Sequence, residues 1–454
     1  MASRYGEDED YSLDVGMRLV AMGNKVNVGT GFSEDKDAFK AGKDAAEMAL
    51  KAMGKPKPTI SYVFFAGDYD AQKLSDGIKS VLKDTEFIGG SADAAYYDTK
   101  VMRTGVAIAC VQSDYLHVGV ASNDNVSKDP YGVAKKTVVD ALGKIAIDKY
   151  LDPYLLFTRM RKGSMKEMVK HPSFYVQIFS RGMKLPVMGD ETKIIQGIAE
   201  EIGLNVPIWG GSFGTSLEKP FGGKPYDIFM LHNGKVLKDG LIVIFNTCSL
   251  VYSQSLAHGA KRTDTFGAIT KVESNGYAVR EISGKNIVDW YCAALNMKKD
   301  EFIKNSMMIT QMHPLGIADN YGNFVIRAAG VHNNGRLEYV APFVEGWTAY
   351  IMDADPKYVA TAPKEVVADM QNNTKEEKAS LVIAGLCASR RAILQDDGIS
   401  KELTTFKKEF GGAKIVGYSC FGEIGSKPGL PPAFGHMTAN LFALYDKLLH
   451  EINE

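Results

Sequence analysis

A strand, a helix and a second strand ending in Gly-Gly-Ser or Gly-Tyr-Ser recur three times along this chain, and that recurrence limits the fold more than any other feature. The first copy runs through Ile60–Ala66 (ISYVFFA), a helix over Ala71–Leu82 and Glu86–Ala92 (EFIGGSA). The second has Phe174–Ser180 (FYVQIFS), a helix near Glu191–Ile202 and Pro207–Gly214 (PIWGGSFG). The third has Leu381–Cys387 (LVIAGLC), a helix near Lys401–Phe410 and Lys414–Gly422 (KIVGYSCFG). The leading strands are mostly apolar, as strands covered on both faces are, so helices must shield them.

Alternating segments between the copies read as antiparallel hairpins: Gly105–Val111 with Tyr115–Ala121, and Tyr226–His232 with Gly240–Phe245, the latter turning at Asn233-Gly234. Leu19–Val28 reads as a strand, and Ser33 as the N-cap of a helix over residues 34–53 that buries Phe39, Ala46, Met48, Ala49 and Met53. Gly346–Met352 and Lys364–Gln371 repeat that strand–helix order before the third copy. The expectation is a pseudo-duplicated α/β to α+β protein, with mixed sheets, helices packed outside and two halves around a central cleft.

Length and charge narrow the function. At 454 residues the chain exceeds one ordinary core, and its 45% hydrophobic and 24% charged residues are those of a globular protein. Lys plus Arg (53) nearly cancels Asp plus Glu (54), so no broad field favours a nucleic-acid backbone or an anionic membrane. Five widely spaced cysteines without a CxxC pair suggest neither a disulfide framework nor structural zinc. Residues 1–15 read as a disordered acidic tail, not a secretory signal, and the longest apolar runs fall well short of the roughly 20 residues of a membrane helix. A cytoplasmic protein without membrane insertion is expected.

Ligands of α/β sheets gather beyond the carboxyl ends of strands. The three tips, Gly89-Gly90-Ser91, Gly210-Gly211-Ser212 and Gly417-Tyr418-Ser419, would let a ligand approach the backbone and offer hydroxyl and N–H donors; alternatively the glycines serve bends and close packing. Near the carboxyl terminus stand Cys387-Ala-Ser-Arg390, Cys420-Phe-Gly-Glu423 and Gly435-His436-Met-Thr438. If these converge, Arg390 can grip a carboxylate, Glu423 an ammonium or hydroxyl, and Ser419 or Thr438 can complete the set. The alternative is an Arg390–Glu423 structural ion pair. Cys387 or Cys420 with His436 also has the residue types of a nucleophile and its base. No histidine is paired at i,i+3 or i,i+4 with another ligand, which disfavours zinc, while a single axial histidine for haem needs no partner motif. Gly29-Thr-Gly31 lacks the third glycine of a dinucleotide fingerprint, since Glu34 stands there.

The order IGGSADA, IWGGSFG, HNGKVLKDGLIVI, CASR, GYSCFGEIG and GHMT resembles the paired FIST_N and FIST_C domains, from about Gly16 to Leu449. The resemblance implies a FIST_N-like α/β domain over 16–265 and a FIST_C-like one over 266–454. It implies a sensory module of signal transduction that binds a small, amino-acid-like molecule between them. One branch of the family binds haem. Cys387, Arg390, Gly417, Gly422, Glu423, His436 and Thr438 match the family pattern, whereas Met437 stands where asparagine is frequent. With no F-box, kinase or cyclase segment alongside, a stand-alone sensor acting through a separate signalling protein is expected, its ligand site drawing on Ser91, Ser212, Gly90 and Gly211 as well.

Overall fold

A computed structural model describes residues 24–145, 173–184, 189–319 and 322–449; residues 1–15, read above as a tail, lie outside these. The mixed sheets with helices outside are present, and the repeating unit occurs three times. Repeat 1 runs β1 (Asn27–Ser33), α1 (Ala38–Met53), β2 (Ile60–Ala66), α2 (Ala71–Leu82), β3 (Phe87–Ala92), a hairpin of β4 (Ala95–Tyr97) and β5 (Lys100–Met102), and β6 (Gly105–Gln112). Repeat 2 follows the same course through β7 (Leu116–Asp124), α3 (Pro130–Leu142), β8 (Ser173–Ser180), α4 (Glu191–Ile202), β9 (Ile208–Ser212), β10 (Met230–His232), β11 (Lys235–Leu237) and β12 (Gly240–Cys248).

Repeat 3 begins with β13 (Leu250–Ala257) and is then interrupted by an eight-stranded sheet. The insert comprises β14 (Lys261–Glu273), β15 (Ala278–Ile282), β16 (Lys285–Asn286), two helices α5 (Ile287–Leu295) and α6 (Lys299–Met312), β17 (Leu315–Ala318), β18 (Phe324–Arg327), β19 (Val331–Asn333), β20 (Arg336–Glu338) and β21 (Thr348–Asp353). Repeat 3 then resumes with α7 (Ala362–Thr374), β22 (Leu381–Cys387), α8 (Ala388–Glu409), β23 (Lys414–Cys420), a hairpin of β24 (Glu423–Gly425) and β25 (Ala433–Gly435), and β26 (Ala439–Leu448).

Each repeat builds a six-stranded sheet with a parallel pair at its centre (β2/β3, β8/β9, β22/β23), but completes it with another repeat's hairpin. The β4–β5 hairpin joins the sheet of repeat 3 at β23, β10–β11 joins repeat 1 at β3, and β24–β25 joins repeat 2 at β9. The exchange therefore closes into a ring. Consequently the sheet containing β13 draws strands from both sides of residue 265.

The carboxyl ends of β3, β9 and β23 meet around the axis of this ring. Ser91 O accepts from Gly214 N (2.9 Å), Gly422 O from Ser212 N (2.9 Å), and Ala94 O from Ser419 N (2.8 Å), linking repeat 1 to 2, 2 to 3 and 3 to 1. Rings from all three repeats fill the centre: Phe64 stacks on Tyr418 at 4.7 Å, Phe179 on Phe213 at 5.4 Å, and Phe213 lies 5.3 Å from Tyr418.

Several local expectations change. The Asn233-Gly234 turn closes the short β10–β11 hairpin, while β12 pairs with β7 and β8 in another sheet. Likewise β6 pairs with β1 and β2, not with β7. Ser33 ends β1, and α1 is capped by Asp37, whose carboxylate accepts from Lys40 N. The buried stripe of α1 is Ala41, Ala45, Ala46, Ala49 and Met53, so Phe39 and Met48 are exposed. Small side chains win there because α1 lies close on β1: a Cβ added to Gly29 or Gly31 would meet its backbone within 2.6 Å.

Candidate functional site

Parallel pairing of β22 with β23 puts Cys387 opposite Cys420, and the turn after β23 carries Glu423 back beside them. Glu423 Oε1 accepts from Cys420 Sγ (3.1 Å), and Oε2 accepts from the backbone N–H (3.0 Å) and hydroxyl (2.9 Å) of Thr438. Burial raises Glu423 to about 7 and pushes both thiols upward. The expected convergence of Cys387, Glu423 and Thr438 is therefore present, as a closed cluster within the fold. Repeat 2 has a counterpart, in which Ser180 and Ser212 are paired in register and both donate to buried Glu191.

Glu423 gives the chain a pH signature. The folded protein retains a proton that the unfolded chain loses from about pH 4.5, so this contribution is present in acid and is lost as pH rises through about 7. Burial lowers His258 to about 4 and His436 to about 3, which works oppositely: the unfolded chain takes up protons as pH falls through 6.5 and stability drops in acid. Replacing Glu423 by Gln keeps an acceptor for Thr438 and removes the titration. Its stability relative to the wild type should therefore rise from pH 5.5 to pH 8.5, measured by urea midpoints; a constant difference would contradict this assignment.

Arg390 does not meet Glu423. Its guanidinium is fully buried and forms a salt bridge with Glu402 through Nη2 and Nε (the latter at 3.3 Å). Nη1 donates to the carbonyls of His258 (3.1 Å) and Met437 (2.9 Å), and Nη2 to that of Val359 (3.0 Å). All five N–H donors are thus used internally. His258 precedes the insert and Val359 follows it, so Arg390 ties both ends of the insert to the main body. The Arg390–Glu423 pair considered from the sequence is replaced by Arg390–Glu402, the glutamate lying 12 residues further along α8, beyond the kink at Gln395. The neighbouring Arg391 pairs with buried Asp93 of repeat 1.

The tip residues are likewise engaged within the ring. Ser91 Oγ donates to Gly214 O (2.8 Å) and accepts from Phe229 N (2.9 Å), Ser212 bonds Glu191, and Ser419 Oγ reaches Asp93 at 3.4 Å. Gly90 faces the Phe213 ring, and Gly211 faces Gly422 O and Tyr418 Oη, with no room for a Cβ at Gly90. Met437 is buried with Ala260, Ile326 and Met352, and its φ is 66°. Asparagine enters that left-handed region more readily than methionine does.

His436 is buried with neither ring nitrogen hydrogen-bonded, and its ring packs edge-on to Phe434 at 5.2 Å. Neither thiol therefore has it as a hydrogen-bonded base. Its N–H donates to Ile326 O (3.2 Å), where β18 of the insert meets β25 of the body. Beside that seam a cleft of about 670 Å³ opens between insert and body. Arg327, at the end of β18, forms part of its wall. Arg327 is 5% exposed; Nη1 donates to Phe434 O (2.7 Å) and lies 3.5 Å from Ile326 O, while Nε has no partner. No carboxylate among the described residues pairs with it. Burial lowers it to about 10, so it stays cationic at neutral pH. His258, whose Nδ1 is buried without a partner, also lines the cleft, as does Lys427, which is held by Glu365 (2.7 Å) and Asp369 (3.5 Å). Among the described residues no group of three or more side chains is arranged to hold a metal ion.

A FIST N domain matches residues 59–285 and a FIST C domain residues 288–426. The chain belongs to the FIST family. FIST domains are sensory domains of signal transduction. No curated protein matches the FIST chain. Solved structures with some likeness are a cyanuric acid hydrolase from A. caulinodans (8% identity, 92% of this chain and 99% of that one, TM-score 0.37) and T. maritima PurL complexed with FGAR (9% identity, 92% and 72%, TM-score 0.21). No described helix is long and apolar enough to cross a membrane. Sequence reasoning passed over Arg327, although an arginine closing the apolar run Phe324-Val-Ile is a signal that such a run can carry.

Proposed function

We propose that this FIST protein is a cytoplasmic sensor that holds a small anionic ligand in the cleft between insert and body and relays occupancy to a separate signalling protein. The observation that carries this reading is Arg327, a buried cation on the cleft wall without an acidic partner. A buried charge left alone costs several kcal/mol, which a ligand carboxylate would offset through paired N–H donors. In an amino-acid-like ligand, Arg327 would take the carboxylate, a role expected earlier of Arg390. Glu423 is fully buried and is not among the residues that line the cleft, and Glu365 and Asp369 hold Lys427. A ligand that spans the cleft would favour one setting of the insert against the body, and a partner would read that setting.

A second reading, haem, would use His258, whose unpartnered Nδ1 supports it. One analysis separates the two. Small molecules released by denaturing the purified protein should include an organic acid in near-stoichiometric amount, absent from Arg327→Met prepared alike. Equal release from both proteins would contradict the seat at Arg327, and a Soret-absorbing component lost in His258→Ala would favour haem.

A further inference from the structure

Resting on the reading of the cleft as the ligand site, we infer that the ligand is a carboxylate with a bulky aromatic body, larger than a free amino acid. The first observation is size. A cleft of about 670 Å³ falls in the ~300–1,000 Å³ range of sites that enclose drug-sized ligands, and a free amino acid would leave most of it to water.

The second is the distribution of chemistry. Away from Arg327 the walls are chiefly apolar, with Trp347 and Phe324 on the insert facing Phe434, Pro431 and Pro432 on the body. Trp347 is 37% exposed, a large apolar surface left to water in the ligand-free chain. Flat rings and prolines favour a planar body, because aromatic pairs gain from offset or edge-on contact beyond simple burial. Arg327 and the other polar wall groups can orient an amphipathic ligand by its head, while the apolar walls supply affinity through its body.

The third is charge. Arg327 lacks an acidic partner among the described residues, whereas Lys427 is neutralised by Glu365 and Asp369. Among the described residues Arg327 is thus a cleft cation without an acidic partner, and with Asp319 also on the wall this suits a monoanion better than a polyanion.

Calorimetric titration with 2-naphthoate, its neutral analogue 2-naphthamide and glutamate tests this. The expected result is one site for 2-naphthoate, with at least tenfold weaker binding of 2-naphthamide and of glutamate. Arg327→Met should weaken 2-naphthoate at least tenfold. Trp347→Ala removes a partly exposed ring from the wall, and it should weaken 2-naphthoate several-fold. If glutamate binds as tightly as 2-naphthoate, and Arg327→Met abolishes that binding, the proposed site survives and the aromatic class is overturned. If 2-naphthoate binds equally well to wild type, Arg327→Met and Trp347→Ala, or to none of them, both are overturned.

Discussion

Replacing Arg390 by Ala should lower the stability of the ligand-free protein by about 3–5 kcal/mol, the cost typical of removing one partner of a buried ion pair. Glu402, almost fully buried, would lose its counter-charge, and the carbonyls of His258, Met437 and Val359 would lose their donors. Burial already raises the Glu402 carboxyl, so it would protonate in part, which sets the upper bound on the loss. Apolar replacement of both partners should recover much of the deficit, because an apolar pair of similar volume leaves no buried charge. Arg390→Met with Glu402→Leu should therefore be more stable than Arg390→Ala by urea unfolding. An Arg390→Ala protein as stable as the wild type would contradict the structural role.

A second large effect is expected at the first glycine of each tip. A Cβ on Gly89 would lie 2.1 Å from Val63 O, on Gly210 1.8 Å from Ile178 O, and on Gly417 2.1 Å from Ala384 O. Those residues are their register partners on the adjoining parallel strand. The obstacle is backbone within a sheet, so no side chain can turn aside. Alanine at any one of the three should cost about 3 kcal/mol or more, at the upper end of overpacking effects. Gly143→Ala is the control, because its nearest neighbour would stand 3.4 Å away at ordinary contact; it should be close to neutral. Equal stabilities for Gly143→Ala and Gly210→Ala would contradict the close packing described here.

The same glycines show how far the sequence could be read. Their recurrence exposed the strand–helix–strand unit, since a parallel pair joined by a helix leaves a local pattern. It also marked the tips, where backbone crowding requires glycine. The ring of exchanged hairpins was not legible, because β4–β5 pairs with β23 some 320 residues away, and no local pattern records such a pairing. Cys387, Glu423 and Thr438 were recognised as neighbours because two short motifs followed adjacent strands. Arg390 was assigned a ligand because its true partner, Glu402, lies within α8 and resembles any helical glutamate in sequence. Arg327 escaped notice because its significance lies in the absence of a counter-charge, a property of three-dimensional surroundings.

Everything proposed for the cleft depends on Arg327 forming an anion seat between insert and body. Crystals soaked in sodium bromide test it without reference to the ligand's identity, since bromide is located by its anomalous scattering. A bromide ion is expected inside the cleft in hydrogen-bond contact with the Arg327 guanidinium, absent from Arg327→Met crystals treated identically. Bromide confined to surface lysines, with Arg327 bare or covered by a protein carboxylate, would contradict it.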